Sequence, residues 1–243
     1  MPKFTPKNKA KLKNLIKNKN IYLGDIDTRK ITDMSELFFI SNRKDFSGIE
    51  NWDTSNVKNM RAMFFGCSDF NQNISSWNVS NVVNMNQMFM WCNNFNQPLN
   101  AWDVSNVEYM LEMFSGCESF NQPLDAWDVS NVYDMNGMFF ECSNFNQNIS
   151  NWNVSNVRYM NFMFCGCRSF NQPLDTWDVS NAHNMSFMLA DCYNFEQSLY
   201  EWKIPIKTIT NNMLLNCDKI KDFPADWKES FEELRSGELC EKL

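Results

Sequence analysis

Histidine, the side chain that most often moves protons or binds metal near neutral pH, occurs once, at His183. With a single imidazole there is no histidine metal cluster and no histidine relay to look for. His183 also stands where Lys58, Val83, Glu108, Tyr133 and Arg158 stand at earlier 25-residue steps, which marks an outward, solvated place. The nine cysteines offer thiol or metal chemistry. Seven of them, Cys67, Cys92, Cys117, Cys142, Cys167, Cys192 and Cys217, recur at a 25-residue interval. Thiols so placed read as one column of small buried groups, expected to be reduced. Cys165 and Cys240 lie off the column and are the reactive candidates.

Carboxylates supply the remaining chemistry. Asp53, Asp103, Asp128 and Asp178, interleaved with Asn78 and Asn153, share one place in the 25-residue step. Neighbours such as Asp103 and Asp128 could hold a weakly bound cation such as Ca²⁺, which takes oxygen ligands in loose geometry. The two asparagines interrupt the charge, however, and favour a polar ladder in which these side chains bond to backbone or serine hydroxyls. Seven glycines are present, none in a phosphate-cradling pattern. Acids are plentiful and no pair stands apart, so no catalytic residue, metal or cofactor is assigned, and the expectation is a protein that is not an enzyme.

The elements that position these groups are repeats. Tryptophan recurs at Trp52, Trp77, Trp102, Trp127, Trp152, Trp177, Trp202 and Trp227, always 25 residues apart. A constant period without slippage means that each turn follows the same path and meets its neighbours, as in a solenoid. Within a turn, Trp77 and Val79 alternate with polar residues and predict a short strand. Ser80 stands as an N-cap before Val82, Met85, Met88, Phe89 and Cys92, whose spacing predicts a short helix. Phe95 and Leu99 then turn back inward around Pro98. Each turn thus supplies nine inward residues. Asn71, Asn96, Asn121, Asn146 and Asn171, each followed by Gln, read as ladders that satisfy backbone groups in the bends.

The organisation that follows is an α/β solenoid of 25-residue turns, each with a short strand and a short helix, capped at both ends. Residues 1–25 form a basic N-terminal cap, a helix begun by Thr5 and Pro6 with Leu12, Leu15 and Ile16 as its apolar stripe. The solenoid runs over 26–226, with a degenerate first repeat at 26–51 and seven repeats at 52–226; 227–243 form a C-terminal cap. The first 20 residues hold seven lysines and no acid, leaving −14 on the remainder of a chain whose formal charge is −7. Such an acidic body disfavours nucleic acid along the solenoid. There is neither a signal-peptide pattern nor an apolar run long enough to span a bilayer, so the expected place is the cytoplasm.

The repeat pattern Trp-[Asp/Asn]-Val-Ser-Asn-Val-x-x-Met-x-x-Met-Phe-x-x-Cys-x-x-Phe-Asn-Gln-[Pro/Asn]-[Leu/Ile], over residues 52 to about 226, resembles the 25-residue repeat of the BspA-like leucine-rich-repeat surface proteins of bacteria. The resemblance implies a right-handed, leucine-rich-repeat-like solenoid, adhesion or partner binding, and the cell surface as the alternative location. It brings no catalytic residues. The positions that vary while their neighbours stay fixed are Phe65, Met90, Trp91, Tyr109, Leu111, Tyr133, Phe140, Tyr159, Phe162 and Phe187, on the expected helical surface. Aromatics on an exposed face are the usual anchors of protein interfaces. The expected function is therefore a protein-binding scaffold, with a self-associating structural protein or a carbohydrate-binding module as alternatives.

Overall fold

The computed structural model describes residues 2–220 and 222–224. The expected closing segment 227–243, with Trp227 and Cys240, lies outside the described residues. The described residues form a repeat solenoid with a cap at its N-terminal end. Parallel bridges join Asp33 to Asn59, Asn59 to Asn84, Asn84 to Tyr109, Tyr109 to Asp134, Asp134 to Tyr159, Tyr159 to Asn184 and Asn184 to Ile209. Every bridge falls at the same place in the turn, so the turns lie in register.

In the six turns that begin at Trp52 through Trp177 the nine inward positions are all buried, whereas in the turn that begins at Trp202 Lys207 is exposed and Ile204 and Thr210 are half-buried. In the turn beginning at Trp127 the nine are Trp127, Val129, Val132, Met135, Met138, Phe139, Cys142, Phe145 and Ile149, none more than 3% exposed. Like side chains lie on like side chains. The Phe89, Phe114 and Phe139 rings follow one another with centroids 5.6 and 5.7 Å apart and planes within 9° of parallel. Each tryptophan of the column from Trp52 to Trp202 spends its indole N–H on the turn before: Trp127 Nε1 donates to the Leu99 carbonyl at 2.9 Å and Trp152 Nε1 to that of Leu124 at 3.0 Å. Each column thiol does likewise, Cys142 Sγ donating to the Phe114 carbonyl at 2.9 Å. A buried polar hydrogen is costly only if unmatched, and these are all matched.

The expected helix is not there. Over Val82–Cys92 the amides follow two alternating rules. Met85, Gln87, Phe89 and Trp91 donate to the carbonyls of Tyr109, Leu111, Met113 and Ser115 in the next turn, at 2.7 to 3.0 Å. Met88, Met90 and Cys92 instead close short turns onto Met85, Gln87 and Phe89, three residues back. Gln87 and Trp91 both have φ of 60°, in the left-handed region, which no α-helix accommodates. The stretch is a string of β-turns pinned to its neighbours by a β-like ladder, and such turns need a left-handed residue at regular points.

The expected strand is also displaced. Trp77 and Val79 do point inward, but the ladder begins at Val83, whose N–H reaches the Lys58 carbonyl at 2.9 Å. Ser80 is no helix cap. Its own N–H is taken by the Asn78 side chain at 3.1 Å, an Asx turn. The Asp and Asn column does the same in every turn: Asp103 Oδ1 accepts from Ser105 N–H at 3.1 Å and hydroxyl at 2.6 Å, and Asp128 Oδ1 from Ser130 N–H at 3.0 Å. The cation considered for Asp103 and Asp128 therefore meets carboxylates already turned onto their own backbone. Among the described residues no group of three acidic, histidine or cysteine side chains is placed to hold a metal ion.

The Asn–Gln ladder forms as expected. Asn96 Oδ1 accepts both the Asn121 N–H and the Gln122 Nε2 hydrogen, each at 3.0 Å, and Asn121 Oδ1 repeats this one turn on.

At the N-terminal end, helix α1 spans Lys9–Lys17 and buries Leu12 and Ile16 over the first turn. It starts later than Thr5, with Asn8 as its cap. The reason is Phe4, which is drawn into a parallel bridge with Ile26, so the chain stays extended until that pairing is complete. Two short 3₁₀ segments, Leu23–Asp25 and Ile49–Asn51, complete the helical content of the described residues.

Candidate interaction face

The variable aromatic residues sit on the laddered side of the solenoid, on two parallel stripes. The first follows the bridge residues Tyr109 and Tyr159 and, one residue before the bridges at Asp134 and Asn184, Tyr133 and His183. Tyr133 and Tyr159 meet edge to face at 5.5 Å, Tyr159 meets His183 at 6.1 Å, and the Arg158 guanidinium lies over the Tyr133 ring at 5.2 Å. The hydrogen bond with Tyr133 pushes the Tyr159 phenol above its ordinary value. His183 is exposed, as its place in the repeat requires. Tyr109 is 37% exposed and, with Asn106, Glu108, Asn131 and Tyr133, lines a shallow depression of about 380 Å³.

Tyr109 is installed at the expense of a local bond. Asn59, Asn84 and Asn184, at the same place in other turns, fold their side chains onto the N–H two residues ahead. In the Tyr109 turn that N–H, on Leu111, is served from the previous turn by Asn86 Oδ1 at 2.9 Å.

The second stripe follows the left-handed positions. Phe162 and Phe187 have φ of 59° and 55°. Glycine holds the same place one turn earlier, as Gly137 with φ of 58°. A bulky residue there costs about 1 to 2 kcal/mol of backbone strain that glycine avoids. Yet the two phenyl rings stack at 4.8 Å with planes 4° apart, and Phe140 abuts Phe162 edge-on at 6.2 Å. All three are half-buried.

Trp91 also has a positive φ. Its indole lies flat across Gly116 of the next turn, so close that a Cβ there would come within 2.2 Å of the ring. Phe65 stacks on Phe39 at 4.7 Å near the N-terminal end. Met90 follows in the same column. Ser115 then interrupts it, buried and with no hydrogen-bond partner for its hydroxyl. The ten variable positions thus do not make one continuous patch. The rings gather toward residues 133–187, while Phe65, Met90 and Trp91 are a separate group.

Sequence reasoning passed over Phe39, Arg158 and Tyr193, although each occupies the column of a residue it did select or its neighbour. Cys165 is half-buried and lines a second depression, of about 460 Å³, with Phe140, Glu141, Arg168, Asp191 and Tyr193. The column thiols are the opposite case. Burial pushes Cys67 up to about 11 and Cys92, Cys117, Cys142, Cys167 and Cys192 well above the ordinary thiol value. A thiol so protonated is a poor nucleophile.

A family model described as Mycoplasma protein of unknown function, DUF285, matches residues 9–127 and again residues 110–227. The chain belongs to this family. The two DUF285 matches end 100 residues apart, which is four turns of 25, and begin 101 apart. No curated protein matches the chain. Among the described residues no helix is long and apolar enough to cross a membrane.

Proposed function

We propose that this protein is a non-enzymatic interaction scaffold, whose solenoid holds a row of aromatic rings at fixed spacing for a protein partner. The observation that carries the reading is the pair Phe162 and Phe187. Both occupy left-handed backbone where Gly137 shows that no side chain is needed. Ala62, Gln87, Glu112 and Asn212 share that backbone, and what sets the pair apart is that two bulky rings are held there stacked 4.8 Å apart and half-buried. Flat rings at an interface bury a large area while giving up few rotamers. The repeat's resemblance to BspA-like leucine-rich-repeat proteins extends this reading toward adhesion, with a host-surface or matrix protein as partner and the cell surface as location.

The test is to replace both rings with the residue their backbone prefers. Phe162→Gly together with Phe187→Gly relieves strain while losing half-buried rings, so stability is expected to change by less than about 1 kcal/mol. A partner captured from cell extract by the immobilised wild-type protein should be lost by the double variant. A drop in stability of about 3 kcal/mol, as for a core ring, would make the pair structural. A captured partner held undiminished would place binding elsewhere.

A second reading, carbohydrate recognition, draws on the depression where the Asn106 and Asn131 amides lie beside the Tyr109 and Tyr133 rings. Glycan binding that survives the double variant and is lost in Tyr109→Ala would favour it.

A further inference from the structure

The N-terminal cap carries a charge that the fold does not use. Lys3 pairs with Asp25 at 2.7 Å and Lys9 with Asp33 at 3.3 Å, and Lys19 bonds to Asn42. Lys7, Lys11, Lys13 and Lys17 make no ion pair among the described residues. Lys7, Lys11 and Lys17 are exposed. Inward, α1 is committed through Leu12 and Ile16. Outward, Phe4 and Leu15 are half-buried along a groove of about 710 Å³ whose rim includes Lys7, Lys11 and Asn14. The result is a basic rim over an apolar floor at one end of an elongated, acidic body.

The charge is segregated along the chain. Between residues 101 and 192 there are eleven acids against Arg158 and Arg168. The last described turn offers no complement to the cap: over 201–220, Glu201 and Asp218 are met by Lys203, Lys207 and Lys219. A long polyanion such as nucleic acid would extend beyond the cap and meet the acidic turns. A planar anionic surface touches the cap alone and leaves the body projecting away. Its acyl region also matches an apolar floor beneath lysines, whose stems bury readily while their charges stay at the headgroups.

We propose that the groove between Phe4 and α1, rimmed by Lys7 and Lys11, docks the protein end-on to an anionic phospholipid surface. This is independent of the aromatic stripes. Each lysine near an anionic leaflet raises partitioning about five-fold, so the four lysines free of ion pairs suffice for reversible, salt-sensitive binding.

The experiment is co-sedimentation of the full chain with phosphatidylcholine vesicles, with and without phosphatidylglycerol, across a salt series. The wild type is expected to pellet with the anionic vesicles only, and to be released by salt. Lys7→Glu with Lys11→Glu should lower binding at least about twenty-fold. Lys30→Glu with Lys58→Glu, the same change in net charge at exposed sites off the cap, should leave it nearly intact. All four positions are exposed, and far-UV circular dichroism checks that each pair folds. Equal losses from both pairs, no binding to anionic vesicles, or tighter binding of the wild type to single-stranded RNA or polyglutamate would each overturn the proposal.

Discussion

Alkali is expected to unfold this protein steeply, with a midpoint near pH 10. The column thiols are the cause. Cys67, Cys92, Cys117, Cys142, Cys167 and Cys192 all have their ionisation raised above the ordinary 9.0, first by burial, Cys67 to about 11 and the others further. Each is also a donor to a carbonyl, so ionisation would set a thiolate against an oxygen at about 3 Å, as with Cys117 and the Phe89 carbonyl at 3.0 Å. Below the ordinary thiol value both states hold their protons and stability is independent of these groups. Above it the unfolded chain releases protons that the folded one keeps, and stability falls with every further step in pH. Each thiol contributes about 1.4 kcal/mol per pH unit, so six contribute about 8. That approaches the whole stability of an ordinary domain. The near-ultraviolet circular dichroism of the tryptophans reports the transition. In Cys117→Ala with Cys142→Ala, the thiol-dependent fall of stability with pH should lessen by about a third. A fall as steep as that of the wild type would contradict the assignment.

Trp127→Ala is expected to cost about 3–5 kcal/mol in urea unfolding. The side chain is 3% exposed, its indole N–H is matched by the Leu99 carbonyl at 2.9 Å, and its ring lies 6.2 Å from Phe114 and 6.4 Å from Trp152. Truncation therefore opens a cavity between two turns and takes from the buried Leu99 carbonyl one of its two donors, the Trp102 N–H at 3.0 Å remaining. Tyr133, on the outer side of the next segment, rests on Arg158 and Tyr159 with solvent above, and Tyr133→Ala should cost less than about 1 kcal/mol. Similar costs at the two sites would mean that the inner and outer faces of the turn are misassigned.

The inward residues were legible because one identity at one step, from Trp52 to Trp202, has a single packing solution once turns stack. The conformation between them was not. Val82, Met85, Met88, Phe89 and Cys92 are spaced three, three, one and three apart, which brings side chains to one face of a helix and equally to one face of successive β-turns. The distinguishing feature is the left-handed residue, and in one column it is Ala62, Gln87, Glu112, Gly137, Phe162, Phe187 and Asn212, types with no common preference. The neighbouring column was more telling: Gly66, Gly116 and Gly166 alternate there with Trp91, Glu141 and Asp191, and glycine recurring every second turn signals a conformation that other residues only tolerate. The start of α1 was misplaced for a related reason. The pairing of Phe4 with Ile26 holds the preceding chain extended, and a contact 22 residues away in sequence leaves no mark beside Thr5.

For the candidate face, sequence identified the aromatic residues but not their grouping. Tyr133, Tyr159 and His183 meet because turns are in register, whereas Phe162 and Phe187 meet because both sit on left-handed backbone. Ser115, small and buried in the column of Phe65, Met90 and Phe140, separates Phe65 and Met90 from Phe140. Neither the strain nor the gap is visible until the turns are placed on one another.

In this solenoid 25 residues make one closed turn, and each described turn bridges to the turns on either side of it. The most direct measurement is to excise residues 102–126, joining Ala101 to Trp127, and to compare the product with one lacking residues 102–113. Removing a whole turn should leave a cooperatively folded protein whose particle is shorter by about 4.8 Å in small-angle X-ray scattering. Removing half a turn should abolish cooperative unfolding, because every later inward residue is offset from its column. If the two deletions are equally stable, or if the whole-turn deletion fails to fold, the register on which both faces depend is wrong.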